Sequence, residues 1–287
     1  MNYKLPADTL ICNQLNILLN KIEIEFDSDV VSFSGPIEYG IDSLFLKIIE
    51  DLKPNSINKR LTIILTTIGG SAEVVERIVN VIRKFYEEVN IIVPDYAYSA
   101  GTIFCMSGDN IYMDFYSVLG PIDPQVVNKD GKWVSALGYL DKIKELLDKA
   151  NKPEFSAVEF SILKDFDLGE LKSYEQAKDL TIDLLKKWLV RYKFKNWEYH
   201  SSTKEKVTED DKLQRAEDIA RDLSDNNKWK SHGRPINIEE LSKLKLKIED
   251  YSADVNKTTV IREYYDLLSD YLKKSNARVF IHSRRFI

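Results

Sequence analysis

Two turns of small residues carry the side chains best suited to covalent chemistry, Thr67-Ile68-Gly69-Gly70-Ser71 and Tyr98-Ser99-Ala100-Gly101-Thr102. Each follows an apolar run that reads as a buried strand, Leu61 to Leu65 and Asn90 to Val93. In a parallel sheet, ligands bind outside the carboxyl ends of the strands, where helix N-termini offer free backbone N–H groups to an anion. A serine followed by small residues at a strand-to-helix turn exposes its hydroxyl, and paired glycines let amides face a developing oxyanion. A glycine pair alone is usually only a turn, and a serine in such a turn is usually a cap. The tandem is more specific, because Gly70 and Ser99 are 29 residues apart with one helix and one strand between them. It reads as a nucleophile, Ser99, beside an oxyanion hole at Gly69 and Gly70.

The elements that must hold these turns alternate. Val30 to Ser34 reads as a strand, Ile41 to Leu52 as a helix and Leu61 to Leu65 as a strand. A helix follows from about Ala72 to Val89, with Val74, Val75, Ile78, Val81, Ile82 and Phe85 on one stripe, before strands at Asn90 to Val93 and Asn110 to Met113. Strands buried on both faces and separated by helices predict an α/β architecture with a mostly parallel sheet and right-handed crossovers. After Trp133 the chain reads as charged amphipathic helices at Ala136 to Lys149, Phe155 to Leu163, Leu168 to Lys195 and Thr208 to Leu223. His232 to Asn237 is a turn, Asn237 caps a helix from Ile238 to Leu244, and a last long helix covers about Asn256 to Lys274. The tail RVFIHSRRFI is expected to add an edge strand or a subunit contact. The expected division is an α/β core over 1–132, a helical arm over 133–228, and a closing turn-helix-strand with C-terminal helix and tail over 229–287.

Composition narrows the classes. The 287 residues carry 41 Lys and Arg against 46 Asp and Glu, a formal charge of −5, which disfavours a general binder of nucleic acid or anionic membrane. The basic aromatic segment KKWLVRYKFKNW could stack bases, but packing on the domain or on another subunit is the simpler reading. Cys12 and Cys105 form no CxxC pair, and His200 and His282 lack ligand spacing with any acidic cluster, so neither disulfide nor metal is expected. No GxGxxG follows a strand, and no cofactor is expected. The N-terminus interrupts its apolar stretch with Asn13, Gln14, Asn16 and Asn20, which argues against a signal peptide or membrane span, and the two cysteines without a CxxC pair make a reducing, cytoplasmic compartment the expected one.

TTIGGSAEVVERIV, VPDYAYSAGTIFCMSGDNIYMD and SVLGPIDPQ together resemble the serine dehydrogenase proteinase group of the Clp protease and signal peptide peptidase A superfamily. The likeness covers about residues 25 to 127 and resumes at Trp229 to Asp250, where Lys245 stands in place of a family glycine. It implies a Clp/crotonase-like spiral of ββα units, here with a largely helical insertion and a C-terminal helix. The family's nucleophile maps onto Ser99 and its oxyanion glycines onto Gly69 and Gly70, with the Ala100 amide as the second donor.

A serine hydroxyl is a poor nucleophile until a neighbour accepts its proton. The Clp branch places a histidine in the segment matching Ser117 to Pro124, which here reads SVLGPIDP, with Ile122 and Asp123 at or beside that place. The Clp acid maps near Gly233, next to His232. The peptidase A branch uses a lysine, which must be desolvated so that its pKa falls towards neutrality. Lys142 and Lys144 are nearest in chain order. Either lysine could instead be a solvated helix-surface partner, His232 a hydrogen-bonding loop residue, and Asp123 a turn cap.

The expected function is a serine peptidase acting on peptides or unfolded protein through an acyl-enzyme on Ser99. Resemblance also implies a homo-oligomer. Two alternatives keep the fold: an inactive oligomeric scaffold or peptide-binding protein, favoured by the displaced histidine, and a crotonase-type acyl-CoA enzyme, disfavoured by Ser99 and GPIDPQ.

Overall fold

A computed structural model describes residues 6–127, 131, 133–150, 155–200 and 202–286. The first five residues of the N-terminal segment and the last residue of the tail lie outside the described residues. The central strands are β1 (Asp29–Ser34), β2 (Arg60–Thr66), β3 (Glu88–Ile92) and, further along, β5 (Asn110–Met113), β9 (Glu249–Asp250) and β10 (Phe280–His282). They form one sheet in the order β10-β1-β2-β3-β5-β9, parallel except for β10, which runs antiparallel to β1 with Phe33 opposite Ile281. Successive side chains of a strand face opposite ways, and the two cores divide accordingly. Val31, Phe33, Leu61, Ile63, Leu65, Val89 and Ile91 belong to one cluster, while Val30, Ile64 and Ile92 belong to the other.

The helices α2 (Ile41–Leu52), α3 (Ala72–Phe85) and α4 (Ala100–Met106) cover the first face. The helices α1 (Pro6–Phe26) and α11 (Val255–Ser275) cover the second, where Leu15, Leu19 and Ile22 meet Tyr264 and Leu268. The sequence reading gave α11 within a residue of its observed start and end but gave no element for α1. Its polar Asn13, Gln14 and Asn20 are exposed beside buried Cys12, Leu15 and Leu19, the signature of a helix lying on a core.

Between each main strand and its helix lies a short second strand or bridge. β4 (Tyr96–Ala97) pairs in parallel with β6 (Val118–Leu119), Thr67 bridges to Ala97, Ile37 bridges to Gly70, and Leu119 bridges to Ile236. The repeat is therefore strand, short strand, helix, with the short strands of neighbouring units hydrogen-bonded side by side at the carboxyl ends of the main sheet. This is the Clp/crotonase-like architecture.

The arm differs from expectation at its two ends. Instead of turning directly helical, the chain first makes an antiparallel pair of β7 (Gln125–Val127) and β8 (Trp133–Ser135), with Gly131 between them at φ 73°. Helices α5 (Ala136–Ala150), α6 (Ala157–Lys164) and α7 (Leu168–Trp188) follow, and α7 closes in a wide π turn over Leu189–Lys193 rather than continuing to Lys195. Leu184, Leu185, Trp188 and Leu189 of this segment, with Ala216, Ile219 and Leu223 of α8 (Glu209–Ser224), join the main core cluster. The short helices α9 (Asn226–Trp229) and α10 (Ile238–Lys243) lead back to β9. Among the described residues no helix is long and apolar enough to cross a membrane.

The tail is an edge strand, as expected, and it is clasped. The fully buried carboxylate of Asp29 accepts hydrogen bonds from Ser56 Oγ at 2.7 Å, Asn58 Nδ2 at 3.1 Å, Tyr86 Oη at 2.7 Å and Arg284 Nη1 at 2.9 Å. Arg284 also reaches Glu23 of α1 at 2.6 Å. A buried charge whose partners are removed costs far more than an exposed pair gains. Asp29→Ala leaves the buried Tyr86 hydroxyl without its acceptor and Arg284 with Glu23 alone, and is expected to lower unfolding stability by about 3 kcal/mol in a denaturant titration. An unchanged midpoint would show that the clasp is energetically idle.

Candidate active site

Ser71 and Ser99 occupy equivalent positions, each the N-cap of a helix after a main strand, but the structure uses them differently. Ser71 is a cap: its Oγ accepts the Val74 amide at 3.1 Å and donates to Glu73 at 2.6 Å. Ser99 has backbone angles φ 52°, ψ −115°, and its side chain makes no cap hydrogen bond. A non-glycine residue held there costs energy that the surroundings must supply, and a serine on such a strand-to-helix elbow projects its hydroxyl away from the helix it starts. Tight packing holds the elbow. The Gly101 amide donates to Tyr98 O at 2.8 Å, and a Cβ at Gly101 would lie 2.4 Å from Thr67 Cγ2.

The glycine turn backs directly onto this elbow. Gly69 and Gly70 have φ of 105° and 148°, in the region that favours glycine. A Cβ at Gly69 would sit 2.8 Å from Tyr98 O and 2.9 Å from Ser99 Cβ, so the two turns touch. The Gly69 amide donates to Thr67 Oγ1 at 3.0 Å and the Ser71 amide to Ile37 O at 2.9 Å. Gly69, expected from the sequence as a donor, therefore shapes the turn while its own N–H is spent. Among the described residues neither the Gly70 amide nor the Ala100 amide donates to a backbone carbonyl, the latter because it stands at the first position of α4, where no intrahelical acceptor exists.

Asp123 and His232, 109 residues apart, come together on the far side of the short-strand ladder. β6 lies against β4 with Leu119 opposite Ala97, and Leu119 exchanges two backbone hydrogen bonds of 2.9 Å with Ile236. The strap after β6 thus runs between the serine elbow and the HGRPIN turn. At its end Asp123 is buried, with Oδ1 3.4 Å from the Leu137 amide and Oδ2 3.9 Å from His232 Nδ1. Both Oδ2 and Nδ1 are buried without a hydrogen-bond partner among the described residues. Burial pushes the His232 pKa down, with the Asp123 charge opposing, and burial pushes the Asp123 pKa up against its hydrogen bonds and His232. Nδ1 is the ring nitrogen that faces the carboxylate.

The lysines separate from this group. Lys142 lies on the exposed face of α5, its Nζ 2.9 Å from Glu145 Oε2 and its side chain 57% exposed, and Lys144 is exposed too. The desolvation a lysine base requires is absent at both. The lysine that does meet that condition is one the sequence reading passed over. Lys193 has its pKa lowered to about 8, chiefly by burial, and its Nζ donates to Asp109 O at 3.3 Å. Asp109 precedes β5, so Lys193 stands at the amino end of the sheet, opposite the Ser99 elbow. The basic aromatic segment around it is packing: Trp188 and Phe194 are buried, and the Arg83 guanidinium lies 3.7 Å from the Tyr192 ring centre. Among the described residues no group of three or more metal-ligating side chains is gathered.

A sequence model of the ClpP-like SDH-type serine proteinases matches residues 45–210, more than half of the chain. The chain belongs to that family. The match spans Gly69, Gly70, Ser99, Asp123 and Lys142 and ends before His232. Two uncharacterized proteins of Methanocaldococcus jannaschii are similar: one is 32% identical over 133 residues, 43% of this chain and 46% of the relative, the other 31% identical over 129 residues, 42% and 44%. The chain spans less than half the length of these curated relatives. Among solved structures, a mutant of 1510-N, a membrane-bound stomatin-specific protease, is 24% identical, with 50% of this chain and 74% of that one covered at a TM-score of 0.31.

The geometry of this family member's glycine turn sets a test. A Cβ at Gly70 would fall 2.1 Å from Ile37 O, so Gly70→Ala must break the Ile37 bridge and turn the free amide away. Loss of one oxyanion donor costs roughly 100-fold or more in rate. The rate of covalent labelling by a fluorophosphonate is expected to fall by that order, and a rate equal to wild type would remove Gly70 from the site.

Proposed function

We propose that the chain is a serine peptidase in which Ser99 is the nucleophile, His232 the general base, Asp123 the group that orients it, and the Gly70 and Ala100 amides the oxyanion hole. The observation that carries this reading is the unengaged Ser99 hydroxyl on a strained elbow packed against the glycine turn. As Ser99 Oγ bonds to the scissile carbonyl carbon, its proton passes to His232 Nε2 and the carbonyl oxygen takes the negative charge between the two amides. The C–N bond then breaks, with His232 giving that proton to the leaving amine. Water attacks the acyl-enzyme by the same route in reverse, His232 accepting its proton and returning one to Ser99. The order Ser, Asp, His along the chain differs from the Clp order, but such a site is defined by geometry and not by order.

The substrate class we assign is a peptide or unfolded protein, and the working form a cytoplasmic homo-oligomer. Support comes from the family, whose ClpP-like members are generally oligomeric with peptide substrates. A second reading, an inactive scaffold or peptide-binding protein of the same fold, is favoured by one distance. Asp123 Oδ2 and His232 Nδ1 approach only to 3.9 Å, and neither atom has a hydrogen-bond partner among the described residues.

Intact-mass spectrometry after fluorophosphonate treatment separates the two. Labelling is expected in wild type, absent in Ser99→Ala, lost in His232→Ala and retained in Lys142→Ala. A correctly assembled wild-type protein that does not label would establish the scaffold reading, and sedimentation to a stable active monomer would overturn the oligomer.

The pH dependence follows from the site. The reaction needs neutral His232, and burial lowers its pKa, so activity should hold on acidification and fall only below the ordinary imidazole range. A kcat/KM profile whose acid limb lies above that range would exclude His232 as the base.

A further inference from the structure

Thr102 is fully buried in the first turn of α4, three residues after Ser99. Its Oγ1 lies 2.8 Å from Ala97 O and 2.8 Å from Gly120 O, and it accepts the Gly120 amide at 3.0 Å. A hydroxyl has one proton and two lone pairs, so it donates to one carbonyl at a time while holding the amide. Those partners are not ordinary neighbours. Ala97 ends β4 two residues before the nucleophile, and Gly120 follows β6 three residues before Asp123.

The ladder between these strands ends at the Ala97 and Leu119 pair. Beyond it one chain bends into the serine elbow and the other into the strap carrying Asp123. Gly120 lies so close to the elbow that a Cβ there would fall 2.5 Å from Tyr98 Cδ1. Thr102 supplies a cross-link where the backbone ladder has stopped, closing the elbow from Ala97 to the first turn of α4 and tying that turn to the strap. The Ser99 backbone is of a kind that persists only when its surroundings over-determine it, and this hydroxyl is placed to do that.

We propose that Thr102 is a positioning residue whose hydroxyl holds the Ser99 elbow and the Asp123 strap in fixed register, an inference that rests on reading Ser99, His232 and Asp123 as one catalytic group. Valine in its place keeps the shape and leaves the Ala97 and Gly120 groups buried and unmatched. The strap then relaxes away from the elbow and takes Asp123 from His232. Because the Asp123 charge opposes the effect of burial on His232, its departure moves the acid limb to lower pH.

The test measures the rate of fluorophosphonate labelling against pH for the full chain as wild type, Thr102→Val, Thr102→Ser and Ser99→Ala, with circular dichroism to count only folded protein. Thr102→Val is expected to label about 10- to 100-fold more slowly, the scale of a misplacement near 1 Å, with its acid midpoint shifted down. Thr102→Ser, which keeps the hydroxyl, is expected to recover most of the rate and the midpoint. A Thr102→Val protein with wild-type rate and midpoint overturns the proposal, as does a folded Thr102→Ser as slow as Thr102→Val. Should Thr102→Val not fold, the serine variant alone decides, since loss of rate with the hydroxyl present contradicts the role. A slower rate with the midpoint unmoved overturns the link to Asp123. Wild type that fails to label where Ser99→Ala also fails overturns the underlying catalytic reading, and this one with it.

Discussion

A serine held at a positive φ is the constraint around which this molecule is arranged. Left to itself the backbone would relax to a conformation in which the hydroxyl caps its own helix, as Ser71 does one unit earlier. What prevents relaxation is contact on several sides: Gly69 behind the serine, Thr67 against Gly101, and Tyr98 against Gly120. Thr67 and Gly69 belong to the glycine turn and Gly120 to the strap after β6, at the same end of the sheet. The strain at one residue is therefore carried by the second ladder of short strands, whose function is to bring those turns within contact.

The two groups of the site differ in how they are built. Elbow and glycine turn are products of adjacent ββα units, each local in sequence and locked by backbone. Asp123 and His232 meet only because an isolated bridge, Leu119 with Ile236, joins the strap to a turn that returns after the whole arm. Their unmatched buried atoms, Oδ2 and Nδ1, are two desolvated polar groups facing one another, a costly arrangement in an interior without a purpose for it.

Legibility in the sequence followed the same division. The serine elbow and the glycine turn could be read because strand, small-residue turn and helix leave a local signature, and the buried strands could be read because both faces are apolar. His232 and Lys142 could not be told apart by pattern, since what separates them is burial: the ring is mostly covered beside Asp123 and the lysine side chain reaches water beside Glu145. Lys193 was hidden among the similar charged residues of KKWLVRYKFKNW, and only packing reveals that its ammonium is enclosed. The antiparallel pair of β7 and β8 was overshadowed by the helical pattern that follows it. The spent amide of Gly69 was invisible for a simpler reason, that a Thr two residues earlier can take it or not.

The clasp between Asp29 and Arg284 spans 255 residues of sequence. During synthesis the strand bearing Asp29 is complete long before its partner has been made. Until then the outer edge of β1 has no neighbour, and a carboxylate destined for the interior has no cation. The growing chain thus cannot finish its sheet in order of translation, and a fragment stopped within the arm keeps an open strand edge that other chains can pair with. Closure by β10 makes completion of the sheet conditional on a segment some 250 residues downstream of the strand it covers.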